Sequence, residues 1–274
     1  MRIFDSAIVD ALPRYTTPLI ETHCHLDYLA NEDLERAVAL AARVGIERLI
    51  TIAVTPDNLT TVVAIAEQFE SVWATQGVHP HDAKLYNVDV DSQIRDSAAH
   101  PKVVAIGEIG LDYHYEDSDR KAQIAAFSAQ LEIAIASDLP VVIHSRDADQ
   151  DMSDILKEMA PGMPRKGVIH SFTSGQALAE TALELGFYLG FNGIITFKNA
   201  ANVRDILALT PTQRLLLETD SPYLTPVPFR GKPNAPHLLG LVAQTMAAIK
   251  EIGEEDLLQI IKNNSQALFW PRHS

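Results

Sequence analysis

Residues 103–108, Val103-Val104-Ala105-Ile106-Gly107-Glu108, and residues 139–144, Leu139-Pro140-Val141-Val142-Ile143-His144, decide how this chain folds. Each is a short apolar run that stops at a side chain able to bind a metal. A strand covered on both faces reads this way, because neither face is given to water. Gly167-Val168-Ile169 ends the same way at His170, and Leu215-Leu216-Leu217 leads through Glu218 and Thr219 into Asp220. Pro18–Glu21 runs into Thr22-His23-Cys24-His25-Leu26-Asp27. Strand side chains alternate with period two, so His23 and His25 share a face and offer half a site for a divalent cation. The same alternation turns Cys24 away, as a plain buried cysteine. Any one such ending is ordinary; their recurrence along the chain is a pattern.

Amphipathic stretches fill the intervals. Strands are expected over 18–25, 48–54, 72–78, 103–108, 139–144, 167–170, 187–192 and 214–220. Helices are expected near 31–44, 56–69, 89–99, 118–137, 149–159, 175–185 and 201–209, with two more over 235–252 and 254–269. Pro56 suits the first turn of its helix. The acidic set Glu116, Asp117 and Asp119 suits the start of the next long helix, where carboxylates meet the positive end of the helix dipole. Strand–helix alternation through one chain indicates an α/β fold, a (β/α)8 TIM-type barrel with extra C-terminal helices. No linker or change of composition divides it. Residues 1–17 read as an N-terminal accessory segment and 18–274 as a single barrel domain.

In such barrels the C-terminal ends of all strands converge on one mouth. His23, His25, Glu108, His144, His170 and Asp220 therefore meet there, although they are far apart in sequence. Four imidazoles and two carboxylates exceed what one tetrahedral zinc needs and suit two cations with a shared carboxylate. Glu108, central in the order, is the better bridge. His100 sits at a helix exit and reads as structural; His237 and His273 lie outside the strand ends and are not expected to bind metal.

Composition narrows the function. Among the 274 residues, 22 Lys and Arg face 36 Asp and Glu, for a net charge of −14. That balance opposes wrapping of duplex nucleic acid, whose affinity comes from many phosphate–cation contacts. It leaves open a phosphodiester held by metals and a few local cations. No run approaches the ~20 apolar residues of a membrane span, and Asp5 and Asp10 interrupt any signal-peptide core. The single cysteine excludes an intramolecular disulfide and fits a reducing, cytoplasmic setting. No obligate protein partner is evident.

The motifs together resemble the TatD family of metal-dependent deoxyribonucleases, within the amidohydrolase-like superfamily. They are Glu21–Asp27, Gly77-Val78-His79-Pro80-His81, Gly107-Glu108-Ile109-Gly110-Leu111-Asp112-Tyr113, Leu139–Arg146, His170-Ser171-Phe172 and Glu218-Thr219-Asp220-Ser221-Pro222-Tyr223-Leu224, followed by Arg230-Gly231-Lys232-Pro233-Asn234. The resemblance runs from Leu19 to Phe269. It implies that His23, His25 and Asp220 hold one metal, His144 and His170 the other, and Glu108 bridges. It also implies hydrolysis of DNA from 3′ ends, with single strands the expected partner. Retention of the His-x-His pair favours two divalent cations, whether zinc, magnesium or manganese. The loop His170–Gly175 is one residue longer than usual in the family, and the N-terminal segment is an addition.

Cations at such a mouth acidify water, and Asp220 and Glu108 are the expected catalytic carboxylates. The ligands alone do not choose phosphorus over carbonyl carbon, so an amidohydrolase or deacylase acting on a small amide or ester is the alternative. His79 and His81 read as substrate-binding or ligand-orienting groups, with metal ligation as the other option. Arg230 and Lys232 follow the metal aspartate in a proline-rich loop and suit phosphate binding. Arg146 and Lys198 lie just past strand ends, as phosphate contacts or as solvated charge. Glu218 shares a face with Asp220. Tyr113 and Tyr223 either stack on bases or pack at the rim.

Overall fold

Val142 and His144 sit two residues apart on one strand, as do Val168 and His170 around the end of another, and that spacing joins the core to the site. The computed structural model describes residues 6–29, 31–115 and 117–271. Residues 1–5 of the accessory segment, Glu116 and His273 lie outside them. Eight parallel strands form one sheet in sequence order: β1 (Leu19–Cys24), β2 (Ile46–Thr51), β3 (Val72–Gln76), β4 (Val103–Asp112), β5 (Val141–Arg146), β6 (Gly167–Ile169), β7 (Tyr188–Phe191) and β8 (Leu215–Leu217). A parallel bridge between Cys24 and Ser221 brings β1 back to the chain leaving β8. There the Asp220 N–H donates to the His23 carbonyl at 2.9 Å and the His25 N–H to the Ser221 carbonyl at 2.8 Å.

Helices cover the outside: α1 (Ser6–Asp10), α2 (Asn31–Arg43), α3 (Leu59–Gln68), α4 (Val88–Ala98), α5 (Arg120–Ser137), α6 (Asp149–Met159), α7 (Gln176–Glu184), α8 (Ala201–Leu209), α9 (Leu239–Lys250) and α10 (Glu254–Phe269). Their starts follow side-chain chemistry. Asn87 accepts from the N–H groups of Asp89 and Val90 before α4, and Asp119 from Ala122 at α5. No helix among the described residues is long and apolar enough to cross a membrane.

Ile50, Val104, Val142, Val168 and Leu216 pack into one buried cluster although they come from five different strands. Only the interior of a closed barrel allows that. Leu268 and Phe269, at the end of α10, join the same cluster, with Trp73 and Trp270 packed against it. The two indoles meet edge to face at 5.1 Å, and the Arg48 guanidinium lies 4.6 Å from the centre of one Trp270 ring. This is the barrel floor. Full burial of each such aliphatic side chain stabilises by about 1.5–3 kcal/mol.

Two strands outrun the sequence reading. β5 continues past His144 to Arg146, and β4 continues past Glu108 to Asp112. The pairing of β4 with β5 shifts register between Gly107 and Ile109, so Glu108 stands at a bulge. Bulges re-aim a side chain without ending a strand. Beyond it, Gly110 has φ +141°, and a Cβ there would lie 2.1 Å from the His144 carbonyl oxygen. Glycine lets the two strands stay side by side up to the rim.

The accessory segment docks on the outer helices. Ile8, Val9 and Leu12 are buried, and the Tyr15 hydroxyl donates to the Gly240 carbonyl. The Thr16 and Thr17 N–H groups donate to the two oxygens of Glu255 at 2.7 and 2.9 Å. Those bonds hold the Glu255 carboxyl at about 2, against an ordinary 4.5. A depressed carboxylate stabilises above its unfolded pKa and loses that effect as pH falls through the folded one. We expect amide-exchange protection at Thr16 and Thr17 to fade between pH 4.5 and about 2, after correction for intrinsic rates. In Glu255→Gln it is weaker and flat across that window. Identical profiles in the two proteins would refute the clasp.

Candidate metal centre

Glu108 is nearly fully buried, with imidazoles around both carboxylate oxygens. Its Oε1 lies 2.7 Å from His170 Nε2, 3.0 Å from His144 Nδ1 and 3.5 Å from His79 Nε2. Its Oε2 lies 3.4 Å from His23 Nε2. On the far side of His23, Asp220 Oδ1 is 3.7 Å from His23 Nε2 and 3.4 Å from His25 Nε2. Three sets have ligand atoms within 4.8 Å of one another: His23, His25 and Asp220; His23, Glu108 and His170; and His79, Glu108 and His144.

The strands aim these groups. His23 and His144 lie within β1 and β5, and His25, His170 and Asp220 follow the ends of β1, β6 and β8. Asp220 adopts φ +58° and Ser171, beside His170, φ +45°, both in the left-handed region that non-glycine residues rarely enter. Hydrogen bonds from Asp220 N–H to His23, and from Ser171 N–H to Glu218 Oε1 at 2.6 Å, hold these conformations.

Electrostatics follow from packing charges in a dry place. Burial opposes ionisation of Glu108, but His170, His79 and His144 outweigh it and hold the carboxyl well below its usual range. Burial likewise opposes charge on His170, yet Glu108 raises it well above the ordinary value. His23 stacks on His170 at 3.9 Å, with the ring planes 5° apart, and is pushed down by burial and by that neighbour. Asp220 is lowered despite burial, by His25 and His23. Both nitrogens of His23, and Nδ1 of His25, are buried without a hydrogen-bond partner among the described residues. Buried lone pairs beside buried carboxylates are what a cation satisfies. The residues therefore fit a divalent metal centre.

The structure brings all six expected ligands together and adds His79. That ring is mostly buried, 3.5 Å from Glu108, and burial lowers it to about 4. His81 sits nearer the rim, its Nε2 3.0 Å from Asp112 Oδ2. Arg230 is exposed, its guanidinium 3.6 Å from the Phe197 ring centre, and the Lys232 ammonium lies 5.5 Å from that of Phe229. Neither is ion-paired to an expected ligand among the described residues. Arg146 lies over Tyr115 at 4.8 Å, and Tyr113 is tied down by its hydroxyl to Asp151 at 2.6 Å. His100 pairs with Glu67 and accepts from the Lys102 N–H, a structural role.

Sequence reading missed Asp112. Its Oδ2 lies 3.0 Å from both His81 Nε2 and His144 Nε2, while Oδ1 accepts the N–H groups of His114 and Tyr115. Counting by twos from Glu108 along an extended β4 lands on it. Two further carboxylates stand behind the ligands. Glu21 Oε1 accepts from His23 N–H and Thr219 N–H, tying β1 to the β8 end, and burial pushes its carboxyl up to about 8. Glu218 accepts from Ser171 N–H and Asn192 Nδ2 and lies 3.7 Å from His170 Nδ1.

Known proteins share this arrangement of sequence. A family model described as TatD related DNase matches residues 20–270. The chain is 37% identical to the metal-dependent hydrolase YabD of Bacillus subtilis (strain 168), over 92% of this chain and 98% of that one. It is 38% identical to the metal-dependent hydrolase YcfH of Escherichia coli (strain K12), over 92% and 95%. Among solved structures, YjjV, a TatD homologue from Escherichia coli, superposes with a TM-score of 0.87 at 33% identity, over 92% of this chain and 97% of that one. The match reaches all eight strands of the barrel and includes every residue of the metal centre, so the chain belongs to the TatD family.

Proposed function

We propose that this chain, a metal-dependent hydrolase by family, is a 3′→5′ exodeoxyribonuclease that works with two divalent cations, zinc, magnesium or manganese. The carrying observation is that Glu108 turns one oxygen to His23 and the other to His79, His144 and His170. A carboxylate so placed would serve two neighbouring cations. His23, His25 and Asp220 would hold one; His144 and His170, with His79 beside them, the other. When bound, such ions acidify water and neutralise charge on a phosphoryl group.

The protein's own groups set that chemistry up. His144 Nε2 lies 3.0 Å from the Asp112 carboxylate, an acceptor for its N–H, so that with a cation bound Nδ1 would be the ligand nitrogen. Asp220 is ionised and its side chain is 13% exposed, against 4% for Glu108, so it is the carboxylate placed to take a proton from entering water. Glu108, more deeply buried, would hold the cations. Arg146, the last residue of β5, and Arg230 and Lys232, beyond β8, lie over aromatic rings and supply local positive charge for phosphates in an acidic protein. The lone Cys24 is buried in the core, with its thiol on the Ile50 carbonyl, in keeping with a cytoplasmic protein.

Chelation is expected to abolish hydrolysis of 3′-labelled single-stranded DNA, and added zinc, magnesium or manganese to restore it; full activity in EDTA would sink the metal reading. Asp220→Asn and Glu108→Gln are expected to lower kcat at least about a hundredfold with unchanged circular dichroism, and robust turnover by either removes that residue. Faster cleavage of acylated small molecules than of DNA would select the deacylase alternative. Asp112→Ala is expected to weaken metal binding about 10–100-fold by titration calorimetry; unchanged affinity would deny it the orienting role.

A further inference from the structure

Large aromatic side chains are exposed at three places among the described residues, and all three follow strand ends at the mouth: Tyr28 after β1, Tyr115 after β4 and Tyr223 after β8. The described α-helices carry none. Tyr115 is partnered by the Arg146 guanidinium. Tyr28 and Tyr223 instead form a pair beside the metal centre. The Tyr28 ring lies nearly parallel to His25, with centroids 5.2 Å apart and planes at 13°. Tyr223 stands across both, at 81° to Tyr28 and 71° to His25, with centroids 6.2 and 6.1 Å away. The two residues remain 47% and 54% exposed.

The result is a corner: one ring continuing a stack that starts on a metal-centre histidine, and a second ring at right angles to it. Its backbone is held on both sides. Tyr28 ends the turn Leu26–Tyr28, where Leu26 is buried, its N–H donates to Thr51 Oγ1, and Asp27 accepts from Asn58 Nδ2. The Tyr223 N–H donates to the Asp220 carbonyl at 2.8 Å, and its own carbonyl accepts from Asn234 Nδ2 at 2.6 Å. Exposed aromatic surface on a fixed backbone is preorganised for a flat ring, which gains stacking without ordering a loop. His25 Nε2 is 3.4 Å from Asp220, so a ring on this corner keeps the group attached to it next to the reacting centre.

We propose that Tyr28 and Tyr223 form the nucleobase subsite of this enzyme, one base stacking on Tyr28 with its edge against Tyr223. The inference rests on the nuclease reading above and deepens it. The subsite accepts any base, because stacking reads the π-face and makes no base-specific hydrogen bond.

The test compares two fluorescein-labelled single strands, one intact and one whose 3′-terminal nucleotides are abasic. With the intact strand, Tyr28→Ala and Tyr223→Ala are each expected to raise KM about tenfold, equivalent to roughly 1.4 kcal/mol of lost stacking, with kcat within about twofold. Tyr28→Phe and Tyr223→Phe keep the wild-type KM. With the abasic strand, wild type and alanine variants share one raised KM. Anisotropy titrations in EDTA give the same order of affinities without turnover. If wild type cleaves the intact strand but the alanine variants lose equally on both strands, the subsite is refuted and the nuclease stands. If wild type neither binds nor cleaves any strand, the nuclease reading falls and the subsite with it.

Discussion

One buried carboxylate organises this molecule. Glu108 lies inside the barrel with four imidazoles within 3.5 Å of its oxygens. A lone carboxylate taken out of water at that depth would cost several kcal/mol, so its partners are obligatory. They come from β1, the loop after β3, β5 and the end of β6. Only closure of the sheet brings them to one point. The bulge that turns Glu108 inward, the glycine that keeps β4 against β5, and the left-handed backbone at Asp220 and Ser171 all serve this convergence.

Much of it was legible in the chain. Runs such as Val141-Val142-Ile143 and Gly167-Val168-Ile169 could only be buried strands, and the histidines that end them could only meet if those strands closed into a ring. Period two likewise put His23 and His25 on one face of their strand. What escaped was tertiary. A charge in an apolar run reads as a strand end, so β4 was cut at Glu108 and Asp112 fell outside it. The partners of Asp112, His81 and His144, are supplied by other loops and strands, and no spacing announces them. The motif of His79 left substrate binding, ligand orientation and metal ligation open, and its loop carries the ring to 3.5 Å from Glu108. Tyr113 and Tyr223 looked equivalent beside their motifs. Asp151, remote in sequence, ties one of them down and leaves the other free at the rim.

The acidic composition sets a problem that the mouth loops address. Cations free to move near Glu108, Asp112 and Asp220 would collapse onto them and cancel their charge. Arg146 and Arg230 instead lie over the rings of Tyr115 and Phe197, 4.8 and 3.6 Å from their centres, where the π-face attracts a guanidinium. Positive charge is thereby kept out of the metal centre in a protein whose remaining field repels polyanions.

The barrel floor has a consequence for how the molecule is made. Ile50, Val104, Val142, Val168 and Leu216 cannot be enclosed until Leu268 and Phe269 arrive to complete the same cluster. A ring whose first strand begins at Leu19 therefore stays open while more than two hundred further residues leave the ribosome. Its interior strands wait exposed for that time, the condition under which long-range parallel sheets are most open to misassembly. Synthesis rate and chaperone capture are thus built into the fold's requirements, through a pair of side chains far from the chemistry.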